Sequence, residues 1–333
     1  MKLYRVLITL FFLAALSSVS FGQKKIVTSS ASMIWDMVDK IAGDKIENRL
    51  IVPIGGDPHT YSPTPADAQK VATSDLVFIN GLTFEGWITE LIENSGTKGE
   101  TITVTDGLTP ISSSQYKNAY DPHAWMDVSL AQTYISNILD GLIRLDPDNE
   151  GFYESNYRAY SQKLKELDSY IQKRITEIPE KQRLLITSHD AFSYFGKKYG
   201  LEVQGIIGIS TESEAQTSDI IRISKAIKDS GVPAIFVEST INPKLIKQIA
   251  TDNGVAIGGS LYADSIGEKN SSGNTYYNML KSNTDVIVDA LSGRKNTATA
   301  HTETGGSGGP LTYLILGAVL ILGLILFIMK MNK

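Results

Sequence analysis

Three of the four histidines occupy positions that suit metal ligands. His59 and His123 each end an Asp-Pro-His tripeptide, and His189 follows the apolar run 184–188. All three come after a strand-like or extended segment and before a helical pattern, whereas His301 lies in a Gly/Thr/Ser tail. A lone histidine in such a place is more often structural. Because neutral imidazole is the commonest biological metal ligand, the repeated placement predicts a metal site.

The segments around these histidines alternate between strand and helix patterns. An apolar run, 50–54, is predicted to be the strand before His59, and Thr64-Pro65 is typical of a helix N-cap followed by proline at the first helical position. The same alternation resumes after residue 180. Such alternation predicts parallel sheets covered by helices, with ligands at the carboxyl ends of the strands.

Between the two halves, residues 147–178 are polar and rich in Tyr, Lys and Glu, with apolar residues mostly three or four apart. This spacing predicts one long helix that acts as a rigid strut. The predicted fold class is therefore α/β, with two lobes of mostly parallel sheet joined by that helix.

The two ends of the chain predict export and a membrane anchor. Residues 1–22 have a positive start, a short apolar core and a small-residue region, as in a cleaved signal peptide. Residues 311–329 are almost wholly apolar and would span roughly 28 Å as a helix, enough to cross a bilayer. Lysines beyond this segment predict a cytoplasmic C-terminus, which leaves residues 23–310 on the cell-envelope side, periplasmic or at the cell surface.

The complete predicted organisation has six parts: a signal peptide (1–22), an N-terminal metal-binding lobe (23–146), a linking helix (147–179), a C-terminal metal-binding lobe (180–294), a flexible tether (295–310) and a C-terminal transmembrane helix (311–329). The chain contains no cysteine, which excludes disulfides, thiolate metal sites and a lipid-modified N-terminal cysteine. The two ends carry four of the 31 basic residues and none of the 36 acidic ones, so the rest has a net charge of −9. This charge argues against nucleic acid and anionic lipid as partners.

Four motifs together resemble a known family. They are Asp57-Pro-His59-Thr-Tyr-Ser-Pro-Thr-Pro, Asp121-Pro-His123-Ala-Trp-Met-Asp127, Thr187-Ser-His189-Asp-Ala-Phe-Ser-Tyr-Phe and Leu261-Tyr-Ala-Asp264. In this order they are similar to the motifs of the cluster A-I (cluster 9) receptors of ABC transporters, which bind zinc, manganese or iron. The resemblance covers roughly residues 24–292. It implies two α/β lobes, a transition-metal ion in the cleft between them and an ABC permease as partner.

Carried over to this chain, the resemblance implies the ligands His59, His123, His189 and Asp264. Three imidazoles and one carboxylate would close a tetrahedral site, which suits binding rather than catalysis. In this family a histidine at the His189 position is associated with zinc and a glutamate with manganese. Zinc is therefore the expected ion, ahead of manganese or iron, although the serine-rich segment 107–121 lacks the histidines that zinc receptors often carry there.

Some roles stay open at this stage. Asp57, Asp121, Asp127 and Asp190 either orient the imidazoles or cap helices and turns, and Glu238 is expected to be a buried, hydrogen-bonded carboxylate. A metal-dependent hydrolase is disfavoured because His-Glu-x-x-His, Gly-x-Ser-x-Gly and P-loop motifs are absent. An adhesin remains an alternative that the sequence does not separate from transport. The expectation is a receptor that is not an enzyme.

Overall fold

The N-terminal lobe is built on one parallel sheet. The computed structural model describes residues 24–112 and 120–293, and its first sheet has the strand order β2-β1-β3-β4. The four strands are β1 (Lys25–Ser29), β2 (Ile46–Leu50), β3 (Leu76–Ile79) and β4 (Glu100–Thr103). The helices that follow them along the chain are α1 (Ser32–Ala42), α2 (Pro65–Ala72), α3 (Ile88–Ser95) and α4 (Val128–Leu145).

Local sequence signals explain where two of these helices begin. The hydroxyl of Thr64 accepts a hydrogen bond from the backbone N–H of Asp67, and the Asp67 carboxylate accepts one from the backbone of Thr64. This reciprocal capping box, with Pro65 at the first helical position, starts α2. Asp127 starts α4 in a similar way, because its side chain accepts from the backbone N–H of Ser129.

A single helix of 26 residues, α5 (Glu150–Ile175), links the two lobes. Its buried side chains recur at spacings of three, four and seven, as in Tyr153, Tyr160, Leu164, Leu167 and Ile171. This stripe packs against α1, α4 and the last of the described helices, Tyr276–Leu291. Since one helix contacts elements of both lobes along its length, it acts as the strut that the sequence predicts.

The C-terminal lobe contains two pairs of parallel strands. They are β5 (Leu184–Thr187) with β6 (Glu202–Gly205), and β7 (Ala234–Glu238) with β8 (Ala256–Leu261). Its helices are α6 (Ser193–Tyr199), α7 (Thr217–Ser230), α8 (Lys244–Asn253) and α9 (Tyr276–Leu291). One hydrophobic core runs through both lobes and the linking helix, so the described residues 24–112 and 120–293 pack as one unit.

The expected strand 50–54 is wrong in position. The strand is Ile46–Leu50, and its pairing with β1 ends at Ser29 opposite Leu50. Ile51 and Val52 are apolar because they are buried in a small cluster under the following loop. Pro53 has no N–H to continue the ladder, so the sheet ends there and a long loop carries the chain to His59.

The predicted fold class is also wrong in its transmembrane helix. Among residues 24–112 and 120–293, no helix is long and apolar enough to cross a membrane. The longest of the described helices, α5, carries charged side chains along its length. The predicted signal peptide, tether and span (1–22, 295–310 and 311–329) lie outside the described residues. The α/β architecture of two lobes with parallel strands is retained.

Candidate metal centre

The four candidate ligands meet at one buried point. His59, His123, His189 and Asp264 each offer one ligand atom, and these atoms all lie within 4.8 Å of one another. His123, His189 and Asp264 are fully buried, and His59 is only 6% exposed. Two ligands come from each lobe, so the point lies between them. The structure thus brings together every residue that the sequence analysis named as a ligand.

His59 is held mainly through its backbone. Gly55, at a φ of 82°, turns the chain after β2, and the His59 N–H donates to Asp57 Oδ1 at 2.9 Å. The imidazole packs edge-on against Phe84, with ring centroids 4.9 Å apart. Burial dominates its electrostatics and lowers the pKa of His59 to about 3, so the ring is neutral at neutral pH.

His123 is oriented by the aspartate of its own motif. Asp121 Oδ1 accepts from the His123 N–H at 2.9 Å and lies 2.7 Å from the ring Nδ1. This contact turns Nε2 toward the centre, where it lies 3.3 Å from both His59 Nε2 and Asp264 Oδ1. Burial lowers the pKa of His123, but the carboxylates of Asp121 and Asp264 outweigh burial and raise it to about 9.

His189 is oriented by a carboxylate from another strand. His189 follows β5, and Glu238 is the last residue of β7. Glu238 Oε1 accepts from the His189 N–H at 2.8 Å, and Glu238 Oε2 lies 2.5 Å from His189 Nδ1. His189 Nε2 then lies 3.1 Å from Asp264 Oδ2. Burial opposes protonation, but Glu238 and Asp264 outweigh it and raise the pKa of His189 well above its usual value.

Asp264 connects the two imidazoles that carry carboxylate partners. Its two oxygens face different rings, Oδ1 toward His123 and Oδ2 toward His189. Burial alone would raise the pKa of Asp264, but the two nearby histidines outweigh burial and hold it well below its usual range. The carboxylate is therefore ionised and positioned to bind a cation together with the imidazoles.

The four aspartates near the candidate ligands have different roles. Asp121 orients a ring, whereas Asp57 contacts the backbone N–H of its histidine. Asp127 caps α4, and Asp190 accepts from the Ser193 hydroxyl at 2.6 Å. Capping is thus the role of Asp127, as the alternative interpretation expected. Because the two Asp-Pro-His motifs are identical tripeptides, their different aspartate roles could not be predicted from the sequence.

The contact of Glu238 with His189 was not predicted from the sequence. Glu238 is buried as expected and accepts a hydrogen bond from the His189 N–H, and the structure adds that its second oxygen lies 2.5 Å from the ring of this candidate ligand. One signal was available, since both Glu238 and His189 stand at the carboxyl ends of strands in the same lobe. Phe84 and Trp125, which pack on His59 and His123, carried no such signal.

A family model described as ZnuA, zinc-uptake complex component A, periplasmic, matches residues 26–290. The chain belongs to this family. The prediction of a metal-binding receptor of ABC transporters is thereby confirmed at the level of the family, with the ion left open.

Curated relatives and solved structures agree with this assignment. The chain is 38% identical to the manganese-binding lipoprotein MntA of Halalkalibacterium halodurans over 269 residues, which is 80% of this chain and 88% of the relative. It is 37% identical to the manganese ABC transporter substrate-binding lipoprotein PsaA of Streptococcus anginosus, covering 81% of this chain and 90% of the relative. These relatives are named as lipoproteins, which again departs from the expected transmembrane helix.

Two solved structures have the same fold. The periplasmic zinc-binding protein TroA from Treponema pallidum superposes with a TM-score of 0.77 at 33% identity, covering 80% of this chain and 99% of that one. A Mn-bound periplasmic metal-binding protein from Candidatus Liberibacter asiaticus gives a TM-score of 0.74 at 33% identity, covering 80% and 100%. These neighbours therefore include both a zinc and a manganese protein.

Proposed function

We propose that this protein captures a divalent transition-metal ion, zinc before manganese or iron, outside the cytoplasmic membrane and delivers it to an ABC permease. The ion would bind to His59, His123, His189 and Asp264. The observation that carries this proposal is the convergence of four buried ligand atoms from two lobes within 4.8 Å of one another. Such a site encloses an ion rather than presenting it to solvent.

The ligand set is compatible with zinc. Zinc bonds of 2.0–2.1 Å in a tetrahedron put neighbouring ligand atoms about 3.3–3.4 Å apart. Three contacts among the four ligands, two of them to different oxygens of Asp264, are 3.3, 3.3 and 3.1 Å long, and all four ligand atoms lie within 4.8 Å of one another. Three imidazoles and one carboxylate also match the ligand types that zinc accepts, whereas manganese favours carboxylate, carbonyl and water oxygens.

The enclosure of the site supports transport rather than hydrolysis. Catalytic zinc sites keep one position open for water. Here each of the four ligands is buried, and the carboxylates of Asp121 and Glu238 are already engaged with imidazoles rather than placed as a free general base. A receptor for the ion itself therefore fits the geometry better than a metallohydrolase.

Manganese is the second candidate because the curated relatives MntA and PsaA are named for it. Asp264 supports this alternative, since its two oxygens face different imidazoles and could both bind the ion. If both Asp264 oxygens bind, the protein supplies five ligand atoms, and five ligand atoms with space for water would suit manganese better than four.

Metal titration of the stripped full-length protein tests the proposal. Thermal unfolding is measured with zinc, manganese or ferrous iron, for the wild type and for His189→Ala. A ligand at a thousand times its dissociation constant adds about 4 kcal/mol, or roughly 8 °C in midpoint for a domain of this size. His301→Ala, which removes the histidine outside the predicted site, is the matched control and should keep the full shift.

Each outcome has a definite reading. A zinc shift that His189→Ala loses supports the site. A larger increase in unfolding midpoint with manganese than with zinc, at equal free concentration, would make manganese rather than zinc the preferred ion. Cobalt substitution then distinguishes a tetrahedral from an octahedral site, because the intensity of the visible absorption of cobalt differs between the two geometries. No shift with any ion rejects the metal site. Loss of metal uptake on deletion of the gene, rescued by added metal, would separate transport from adhesion.

A further inference from the structure

The His59 loop is tied to the opposite lobe on its way to the ligand. The Gly55 N–H donates to Ser265 Oγ at 2.7 Å, and the Thr211 hydroxyl donates to Asp57 Oδ2 at 2.6 Å. Both donor–acceptor pairs join residues more than 150 positions apart in the chain. Because Asp57 Oδ1 also accepts from the His59 N–H, one carboxylate connects the ligand to the other lobe.

The two Asp-Pro-His motifs share one contact and differ in the other. In both, Oδ1 of the aspartate accepts from the backbone N–H of the histidine at 2.9 Å. Asp121 uses the same oxygen to hold the ring of His123, whereas Asp57 uses its second oxygen to bind Thr211. The carboxylate of Asp57 therefore connects His59 to the opposite lobe, whereas the His123 motif is connected to that lobe through the backbone carbonyl of Asp121, which accepts from the Tyr194 hydroxyl at 2.9 Å.

Thr211 lies in a segment that has few other ties. Residues 209–215 run between β6 and α7. Within the described chain, the Thr211–Asp57 contact is the one side-chain hydrogen bond that joins this segment to a residue distant in sequence, since Gln216, which donates to the Glu214 carbonyl, is adjacent to the segment. The bonds of Ser210 Oγ with Glu212 and of Ser213 with Ser210 are internal to the segment.

A cavity of about 900 Å³ lies under the same segment. Its lining includes Asp190, Gly208, Ser213, Glu214 and Arg222. Ser213 and Glu214 thus border open space, and the apolar contact of the segment with the core of its own lobe is made by Ala215 at its end. A segment with space beneath it and one bond across the cleft can separate from the His59 loop without unfolding either lobe.

We propose that the Thr211–Asp57 hydrogen bond is a latch that closes the ion site and sets the rate at which the ion leaves. The inference rests on the proposed metal-receptor function. While the bond is formed, the segment 209–215 covers the His59 loop and holds His59 at the site. When it breaks, the His59 end of the loop loses this bond to the opposite lobe while Gly55 stays bonded to Ser265. The His59 imidazole can then withdraw, because among the described residues no carboxylate forms an ion pair with its ring.

The test is the rate of ion release from the full-length protein. Zinc-loaded protein is mixed with excess EDTA in a stopped-flow instrument, and release is followed through the fluorescence of the buried Trp125, whose ring lies 5.2 Å from that of His123. Thr211→Val keeps the shape of the side chain and removes the hydroxyl. It should release zinc about tenfold faster, which corresponds to about 1.4 kcal/mol. The association rate should change less than twofold, because the ligands are unaltered.

Two further variants serve as controls. Thr211→Ser keeps the hydroxyl and should release zinc at the wild-type rate. Ser210→Ala removes a hydroxyl from the same segment, where Ser210 Oγ accepts only from the neighbouring Glu212 N–H, and should also match the wild type. If Thr211→Val folds poorly, Thr211→Ala at this half-buried loop position replaces it.

The possible results separate the latch from the function on which it rests. Wild-type release by Thr211→Val, with zinc bound at equilibrium, overturns the latch and leaves the receptor intact. Equal acceleration by Ser210→Ala also overturns it, since the effect would then belong to the loop in general. Failure of the wild-type protein to bind zinc or manganese at all overturns the proposed function instead.

Discussion

The protonation of the empty site leads to a quantitative prediction for ion binding. Without an ion, the raised pKa values of His123, to about 9, and of His189 keep both rings protonated at pH 7, and the lowered pKa of His59 keeps that ring neutral. An ion can bind only to unprotonated imidazole nitrogens. Binding of one divalent ion at pH 7 should therefore release about two protons.

The formal charge of the site is the same with two bound protons as with one bound divalent ion. Two imidazolium rings and the three carboxylates Asp121, Glu238 and Asp264 give the empty site a formal charge of −1. A divalent ion with neutral imidazoles and the same carboxylates gives −1 again. Since uncompensated charge in a buried site is costly, an exchange that keeps the charge constant lets the site remain folded both empty and filled.

The size of the pH effect follows from the proton count. Two released protons make the apparent affinity rise about 100-fold per pH unit, or about 2.7 kcal/mol, at pH values below the lower of the two raised pKa values. The sign is fixed, because protons compete with the ion and lower pH weakens binding. Above pH 9 His123 has lost its proton, and its contribution to the dependence ends.

Glu238→Gln is the perturbation that isolates one of the two protons. The amide keeps an oxygen for the His189 N–H but removes the charge beside Nδ1. The pKa of His189 should fall, and the number of released protons should decrease from about two toward about one. Glu202→Gln makes the same substitution at an exposed strand position of the same lobe and should leave the count at about two.

Isothermal titration calorimetry at pH 7 measures the count. The same titration is run in several buffers of different ionisation enthalpy, and the slope of observed enthalpy against buffer enthalpy gives the protons released. A wild-type count below one would show that the rings are neutral in the empty protein and would refute the reasoning. An unchanged count in Glu238→Gln would refute the role of that carboxylate.

Two further predictions concern stability. Gly205→Ala should destabilise the protein by about 1–3 kcal/mol and weaken zinc binding, because its Cβ would lie 2.6 Å from the His189 carbonyl carbon. Gly151→Ala, with open space around it, should instead stabilise the protein by up to about 1 kcal/mol. Urea unfolding measures both changes, and equal effects of the two variants would contradict the predicted clash at Gly205. Arg174→Met should lower the unfolding free energy by about 1 kcal/mol at low salt and by less at high salt, because the Arg174 guanidinium forms an ion pair between α5 and Asp285 of α9. A loss of stability that does not depend on salt would indicate that Arg174 stabilises the protein through packing rather than charge.

Local sequence signals coincide with the ends of several elements. The bounds of α4, α7 and β7 are Val128–Leu145, Thr217–Ser230 and Ala234–Glu238. In these segments a helical or strand period coincides with a clear start and stop, such as Asp127 before α4 and Gly231 after α7. The strand before His59 was misplaced because residues 51–52 are apolar for burial in a side cluster, and an apolar run alone does not show what covers it.

For the site, the sequence by itself indicated the three histidines, and the family resemblance added Asp264. The sequence could indicate the histidines because each of them follows a strand-like or extended segment, and the carboxyl ends of parallel strands meet at one edge of a sheet. What each surrounding carboxylate does was decided only by the tertiary structure. Glu238 reaches His189 from a strand 49 residues further on, and Thr211 reaches Asp57 from 154 residues away. Such contacts depend on how separate elements pack, and no local pattern of residues encodes them.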